Sequence, residues 1–106
     1  VAIDWTEPEA AVTYAWSLEQ NTPNPFDEQT QFEISLGLES DVTIAISDEL
    51  GRVVKVIEGV YGAGVHSISV KRSELGAGGV YPYELTAVPT SGAETYTEVK
   101  KMIVVD

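Results

Sequence analysis

A chain of 106 residues is expected to be one domain with one modest core, since a chain of this size buries roughly 65% of its unfolded surface. It has no cysteine, which excludes disulfides, thiolate metal sites and a cysteine nucleophile, and leaves the redox compartment open. The net charge of −11 resides in the first half, where residues 1–50 hold eleven of the 17 acidic side chains and neither Lys nor Arg; such a field repels nucleic acid and anionic membrane, so nucleic acid is excluded as a partner and no membrane insertion is expected.

No apolar run approaches the ~20 residues of a membrane-spanning helix, and no signal-peptide pattern opens the chain. The chain starts at Val1 without an initiator Met, so the expectation is a piece of a longer protein. The acidity reads as solubility outside the cell or in salt. Calcium is a lesser expectation, because no D-x-D-x-D-G loop is present.

Residues 1–11 are acidic, contain Pro8 and show no period, so they read as a linker or the end of a preceding domain, with a β-domain over 12–106. Val12, Tyr14, Trp16 and Leu18 alternate with smaller residues, the period of a half-buried strand. Tyr14 and Trp16 are expected to pack, the alternative being exposed platforms for a ligand. Next comes Gln20-Asn21-Thr22-Pro23-Asn24-Pro25-Phe26. Pro23 and Pro25 lock φ and remove a donor, and each pushes the residue before it out of the helical region. The segment is therefore a stiff, extended lead-in, and Phe26 is expected to plug into the fold that follows.

Residues 30–36 place Phe32, Ile34 and Leu36 on one face, and Val42, Ile44 and Ile46 repeat that alternation. Asp48-Glu49-Leu50-Gly51 reads as a hairpin turn, with Gly51 supplying positive φ, and residues 52–57 return antiparallel. Gly59, Gly62 and Gly64 read as a loop. In the strand over 65–70, Ile68 and Val70 face inward and His66 sits at the rim as a structural residue. Residues 71–75 read as one helical turn, and Gly76, Gly78 and Gly79 break the chain. Tyr81, Tyr83, Leu85 and Ala87 alternate as another strand, in which Pro82 demands a sheet edge or a local break. The last strand covers 95–105. Val99, Ile103 and Val105 are expected to anchor it, with Lys101, of the same parity, snorkelling out or lying at an edge.

Six or seven short strands with Gly/Pro/Asp turns and no long helix make an all-β fold, an immunoglobulin-like antiparallel β-sandwich of about seven strands. Its expected core is Phe32, Ile34, Val42, Ile44, Ile46, Ile68, Val70, Tyr83 and Leu85. Nothing in the sequence supplies catalytic chemistry: His66 is the single histidine, no nucleophile, phosphate-loop or zinc motif occurs, and the acidic doublets 27–28 and 48–49 read as solvated turns. The expectation is a protein that is not an enzyme and takes no cofactor.

Several segments together resemble a known family. From Leu18 onward, over about 85% of the chain, the sequence resembles the type A C-terminal sorting domain of proteins exported by the type IX secretion system of certain Gram-negative bacteria. Residues 18–26 are similar to that family's lead-in motif, with Pro23, Asn24, Pro25 and Phe26 its centre. The hairpin with Gly51, the Ala63-Gly64-Val65-His66 step, and Gly79-Val80-Tyr81 followed by Pro82 match in the same order. Lys100-Lys101 before Met102, Ile103, Val104 and Val105 is similar to its terminal basic-then-apolar tail. Pro82 departs from the pattern, which usually has an aromatic residue there. The resemblance implies an address label on a larger cargo protein, secreted or displayed at the cell surface by way of the periplasm and outer membrane. Its partners would be the type IX translocon, a surface sortase that removes it, and the attached upstream cargo domain. Two physical points fit. A cysteine-free sandwich folds in the periplasm without oxidation, and a terminal strand at an edge can offer itself for strand addition; the plainer reading of that strand is a half-buried one with two solvated lysines. The competing reading is a carbohydrate-binding or adhesive immunoglobulin-like module of a secreted protein, for which Trp5, Trp16, Tyr61 and Tyr96 are candidate rings; three coplanar exposed rings would favour it.

Overall fold

The computed structural model describes residues 14–105; the expected linker over 1–11, and with it Trp5 and Val12, lies outside the described residues. Seven strands follow in order: β1 (Ser17–Leu18), β2 (Gln29–Leu36), β3 (Ser40–Ser47), β4 (Val53–Tyr61), β5 (Gly64–Lys71), β6 (Gly79–Pro89) and β7 (Tyr96–Val104), with a single 3₁₀ turn, Arg72–Glu74, before β6. They form two antiparallel sheets, ordered β1-β2-β5 and β4-β3-β6-β7. The fold is the seven-stranded antiparallel sandwich that the alternation predicts.

Period-2 patterning decides which side of each strand is wet. In β2, Phe32, Ile34 and Leu36 are buried while Gln31 and Glu33 are exposed. In β3, Ser40, Val42, Ile44 and Ile46 are buried and face Pro89, Ala87, Leu85 and Tyr83 of β6 along the ladder. All nine expected core residues are buried, joined by Leu18, Leu36, Tyr81, Ala87, Met102 and Val104. The two sheets meet where the Phe32 ring tilts against Tyr83, with centroids 4.6 Å apart. Phe26 closes one end of this core, at 3% exposure.

Besides that of Tyr14, which is expected to pack in a strand but lies exposed ahead of a two-residue β1, three expectations need correction. Gly59 does not lie in a loop: β4 runs through it, opposite Val42, and the turn to β5 is only Gly62-Ala63. The Tyr61 ring folds back over Gly59, where an added Cβ would come within 3.3 Å of it, so the ring covers the missing side chain. Pro82 does not mark an edge strand, because β6 is an inner strand between β3 and β7. The alternative, a local break, is what the structure contains. Pairing with β3 ends at Tyr83, and the nitrogen of Pro82 faces the side on which β3 has stopped. The Val80 N–H, two residues earlier and on that side, donates to a side chain, the Glu49 carboxylate.

The third correction concerns β7. Val99, Ile103 and Val105 do not anchor it; Val99 is 53% and Ile103 40% exposed, and the buried residues are Met102 and Val104. Both faces of this strand carry apolar residues, so alternation alone is ambiguous. The β6 register resolves it by setting Met102 opposite inward-facing Tyr81 and Val104 opposite Gly79. Lys101 shares the exposed outer face of Val99 and Ile103 on the last strand of the sheet, so it lies at an edge and has no buried face to snorkel from.

Candidate functional site

The proline segment leaves the β1–β2 ladder and crosses to the other sheet. A backbone bridge, Thr22 to Gln31, is the last backbone pairing on the β2 side. Just before it, the buried Asn21 organises the departure. Its Nδ2 donates to the Pro23 carbonyl at 3.1 Å and to Thr30 Oγ1 at 3.0 Å, and its Oδ1 accepts from Gln20 Nε2 at 2.6 Å. Thr30 Oγ1 in turn donates to the Pro23 carbonyl at 2.8 Å. The Asn21 N–H donates to the Tyr83 hydroxyl at 2.9 Å, and that hydroxyl donates to the Glu19 carbonyl at 2.8 Å. Burial pushes the Tyr83 phenol up to about 12. These buried polar groups are paired, which is what lets them remain inside the fold.

Residues 23–26 then lie along the outer edge of β7. The Phe26 N–H donates to the Ile103 carbonyl at 3.0 Å, and the Val105 N–H donates to the Phe26 carbonyl at 2.9 Å, making a parallel bridge between Phe26 and Val104. Side chains extend the contact. The Ile103 N–H donates to Asn24 Oδ1 at 2.8 Å, and Gln20 Nε2 donates to the Lys101 carbonyl at 2.7 Å. Arg72 joins the same cluster: its N–H donates to the Glu28 carbonyl at 2.8 Å and its guanidinium to the Val105 carbonyl at 3.0 Å. The peptide bonds before Pro23 and Pro25 are both cis, and both prolines are exposed.

The same end of the sandwich carries the β3–β4 hairpin. Gly51 has φ of +85°, and its N–H donates to the Asp48 carbonyl at 3.0 Å. The Asp48 carboxylate accepts the N–H groups of Leu50 (2.9 Å) and Arg52 (3.0 Å) and the Arg52 guanidinium (2.9 Å). These bonds, that of the Arg52 N–H foremost, hold its carboxyl below the usual value. Glu49 reaches to the start of β6, where its carboxylate accepts the Val80 N–H at 3.0 Å. Gly79 has φ of +154°, and an added Cβ would come within 3.2 Å of that carboxylate. Tyr81 is buried and donates to the Ala77 carbonyl. Between the hairpin and the glycine-rich turn over 75–79 lies a groove of about 540 Å³, lined by Leu50, Val53, Leu75 and Tyr81 among others.

Of the ten positions singled out in the sequence, Pro23, Asn24, Pro25, Phe26, Gly51, Gly79, Tyr81 and Lys101 thus gather at one end. Lys100 is half-buried further along β7, with its ammonium 3.2 Å from the Glu98 carboxylate. Gly64 lies apart. It opens β5 at the opposite end, opposite Leu36, with φ of +125° and the Tyr14 ring beside it. Sequence reasoning missed Glu49, Glu98 and Arg72 as organisers. Glu98 accepts the Tyr96 hydroxyl, which foremost lowers its carboxyl, and the N–H of Leu18, and so ties β7 to β1. Charged residues in turns and on edges carry no period, so nothing in their spacing marked them.

The candidate ligand rings among the described residues, Trp16, Tyr61 and Tyr96, do not form a platform. Trp16 stacks on Tyr96 with centroids 5.5 Å apart, and both are half-buried. Tyr61 is half-buried and meets His66 edge-on at 5.0 Å; His66 sits half-buried at the rim with Nε2 2.8 Å from the Gly62 carbonyl. No three coplanar exposed rings occur among the described residues. Among those residues no three His, Asp or Glu gather closely enough to hold a metal ion.

The fold has counterparts among solved structures. It is similar to part of dimeric latent PorU from Porphyromonas gingivalis, at 23% identity and a TM-score of 0.64 over 89% of this chain. That likeness spans only 10% of the PorU chain, so it is to one small β-domain of a much longer protein. It is also similar to CopC from Methylosinus trichosporium OB3b, at 18% identity and a TM-score of 0.51, covering 85% of this chain and 93% of that one. At these identities the likeness is one of fold. No protein-family description and no curated protein matches the chain.

Proposed function

We propose that this chain is a C-terminal sorting domain, the label that directs a larger cargo protein across the outer membrane by type IX secretion and is then removed by a surface sortase. On this reading it catalyses nothing and needs no cofactor, and its partners are the type IX translocon, the sortase and the cargo domain upstream. The cargo passes through the periplasm to the cell surface or beyond.

The observation that carries the reading is a meeting of two distant motifs. The proline lead-in and the basic-then-apolar tail, which resemble the family's first and last motifs, are hydrogen-bonded to each other although about 80 residues apart in sequence. Gly51, Gly79 and Tyr81 stand at the same end. A fold shared with one small domain of a long chain supports the same picture of an appended module. The carbohydrate-binding alternative loses ground with the pairing of Trp16 and Tyr96 against each other.

The test is to fuse residues 11–106 to a periplasmic reporter in a host competent for type IX secretion. Surface delivery of the reporter is expected. Retention in the periplasm, with the domain folded, would sink the proposal and leave a spacer or adhesive domain.

A further inference from the structure

In an antiparallel pair the N–H and C=O of successive residues point alternately to the two sides of a strand. Along β7 the groups of Gly79's partner Val104 and Tyr81's partner Met102 turn toward β6, so those of residues 101, 103 and 105 turn outward. β7 is the last strand of its sheet, and its outward row would be an open edge, a template for any extended chain. Here the row is filled by the proline loop, but only in part with backbone. Phe26 supplies two true ladder bonds, to Ile103 and Val105. At the Ile103 N–H a side-chain oxygen of Asn24 replaces a backbone carbonyl, and at the Lys101 carbonyl a side-chain nitrogen of Gln20 replaces a backbone N–H. The loop runs parallel to β7 and contains two prolines, so it covers the edge and cannot continue the sheet outward.

We propose that this loop is a clasp over a strand-acceptor edge, and that when it opens, residues 101–105 of β7 take an extended segment of a partner protein in the parallel sense now held by Phe26. This rests on the reading of the chain as a sorting domain that the export machinery engages. A partner strand supplies backbone groups at all the positions where the loop uses side chains. The chemistry of the partner follows from what flanks the edge. The outer face beside it offers Val99, Ile103 and Val105, all exposed, with Lys101 among them. That asks for a strand with apolar residues on alternate positions and an acidic side chain next to Lys101. A second copy of this chain is disfavoured as the partner by its net charge of −11.

Two variants of the whole chain test this. Gln20→Ala/Asn24→Ala removes the two side-chain substitutes, both on the exposed side of the loop, and leaves the Phe26 bridge as the loop's remaining hold on this edge, so the loop opens more often. Amide hydrogen exchange at Ile103 and Val105 is expected to speed up at least tenfold, with the inner ladder at Ile44 and Leu85 unchanged. Wild-type protection at Ile103 and Val105, or an equal loosening of the inner ladder, overturns the clasp. Asp27→Cys/Val105→Cys places two exposed thiols at the register neighbours of the Phe26–Val104 bridge, in a chain with no other cysteine, and oxidation locks the loop. An acetylated probe peptide of alternating valine, threonine and glutamate is expected to restore protection at Ile103 and Val105 in the alanine variant and to leave the locked form unbound. No binding to the open variant, or equal binding to the locked one, overturns the proposed edge. In a type IX-competent host the locked fusion is expected to stay in the periplasm while each single-cysteine parent is delivered. Delivery of the locked fusion overturns clasp opening and leaves the sorting reading standing. Failure of the wild-type fusion removes the sorting reading, and the exchange and peptide results still judge the clasp.

Discussion

Gly51 shows how one backbone angle fixes a hairpin. The three residues between Asp48 and Arg52 close a type I turn whose last residue must be left-handed, and Gly51 takes that place at φ +85°. No atom lies within 4 Å of an added Cβ, so a substitution there is charged only for the backbone. Gly51→Val should lose on the order of 1–2 kcal/mol, the cost of a left-handed L-residue, and an unchanged melting temperature would count against this account. Tyr83 is a different kind of residue: its hydroxyl links β6 to Asn21 and Glu19. Tyr83→Phe keeps the ring against Phe32 and orphans the Asn21 N–H, so a loss of about 1–2 kcal/mol is expected by chemical denaturation. Tyr83 also sets a pH dependence. Its folded pKa lies above its ordinary value of 10.0, raised by burial to about 12. Its contribution is therefore fully present below pH 10 and is lost as the pH rises through about 12. The phenylalanine variant should show a shallower alkaline decline, one that Tyr96, raised in the same direction, still partly supplies. An equally steep decline in both proteins would refute the assignment.

At the scale of elements, the proline loop depends on its single anchor. Phe26 lies between the two sheets at the end of the core, so Phe26→Ala should destabilise by roughly 3 kcal/mol. The loss should also raise amide exchange at Val105, whose N–H bonds to the Phe26 carbonyl. A melting temperature like that of the wild type would show that the ring is not wedged there. The strands with one clearly apolar face, β2, β3 and β6, were legible in the sequence because Phe32, Ile34, Val42, Ile44, Tyr83 and Leu85 admit only one wet side. β7 was not, because Val99 and Ile103 are as apolar as Met102 and Val104, and only its pairing with β6 separates them. β4 shares that weakness: Val53, Val56 and Val60 are exposed, and the strand ran past a glycine that signalled a loop. In the candidate site, the motif residues were legible individually and their convergence was not. Alternation speaks of faces, whereas the contact between residues 20–26 and 101–105 depends on which strand ends its sheet.

For the whole molecule, the acidic first half and the cationic end of β7 divide stability from recognition. Lys100 and Lys101 are the last basic residues of a chain with a net charge of −11. Their structural contribution is small. Lys101 is exposed, and Lys100 makes an ion pair with Glu98 in which about a third of each side chain remains exposed. Pairs of that kind contribute about 0–1 kcal/mol. Lys100→Ala/Lys101→Ala should therefore melt within a few degrees of the wild type, and Glu98 keeps its bonds to Leu18 and Tyr96. If the pair orients an acidic partner, opposite charge acts on the rate of encounter, so the variant should deliver a fused reporter several-fold less well, and the difference should narrow at higher ionic strength, where screening removes the wild type's advantage. Removing residues 102–106 is the contrasting change. It takes Met102 and Val104 from the core and the Val105 bond from the loop, so stability and delivery should fall together. Normal delivery by the double-alanine variant would reduce the lysines to a solvated pair and move the recognition surface to residues 20–26 or to the gap beside Pro82, where β3 has ended and the Glu49 carboxylate stands in for a strand.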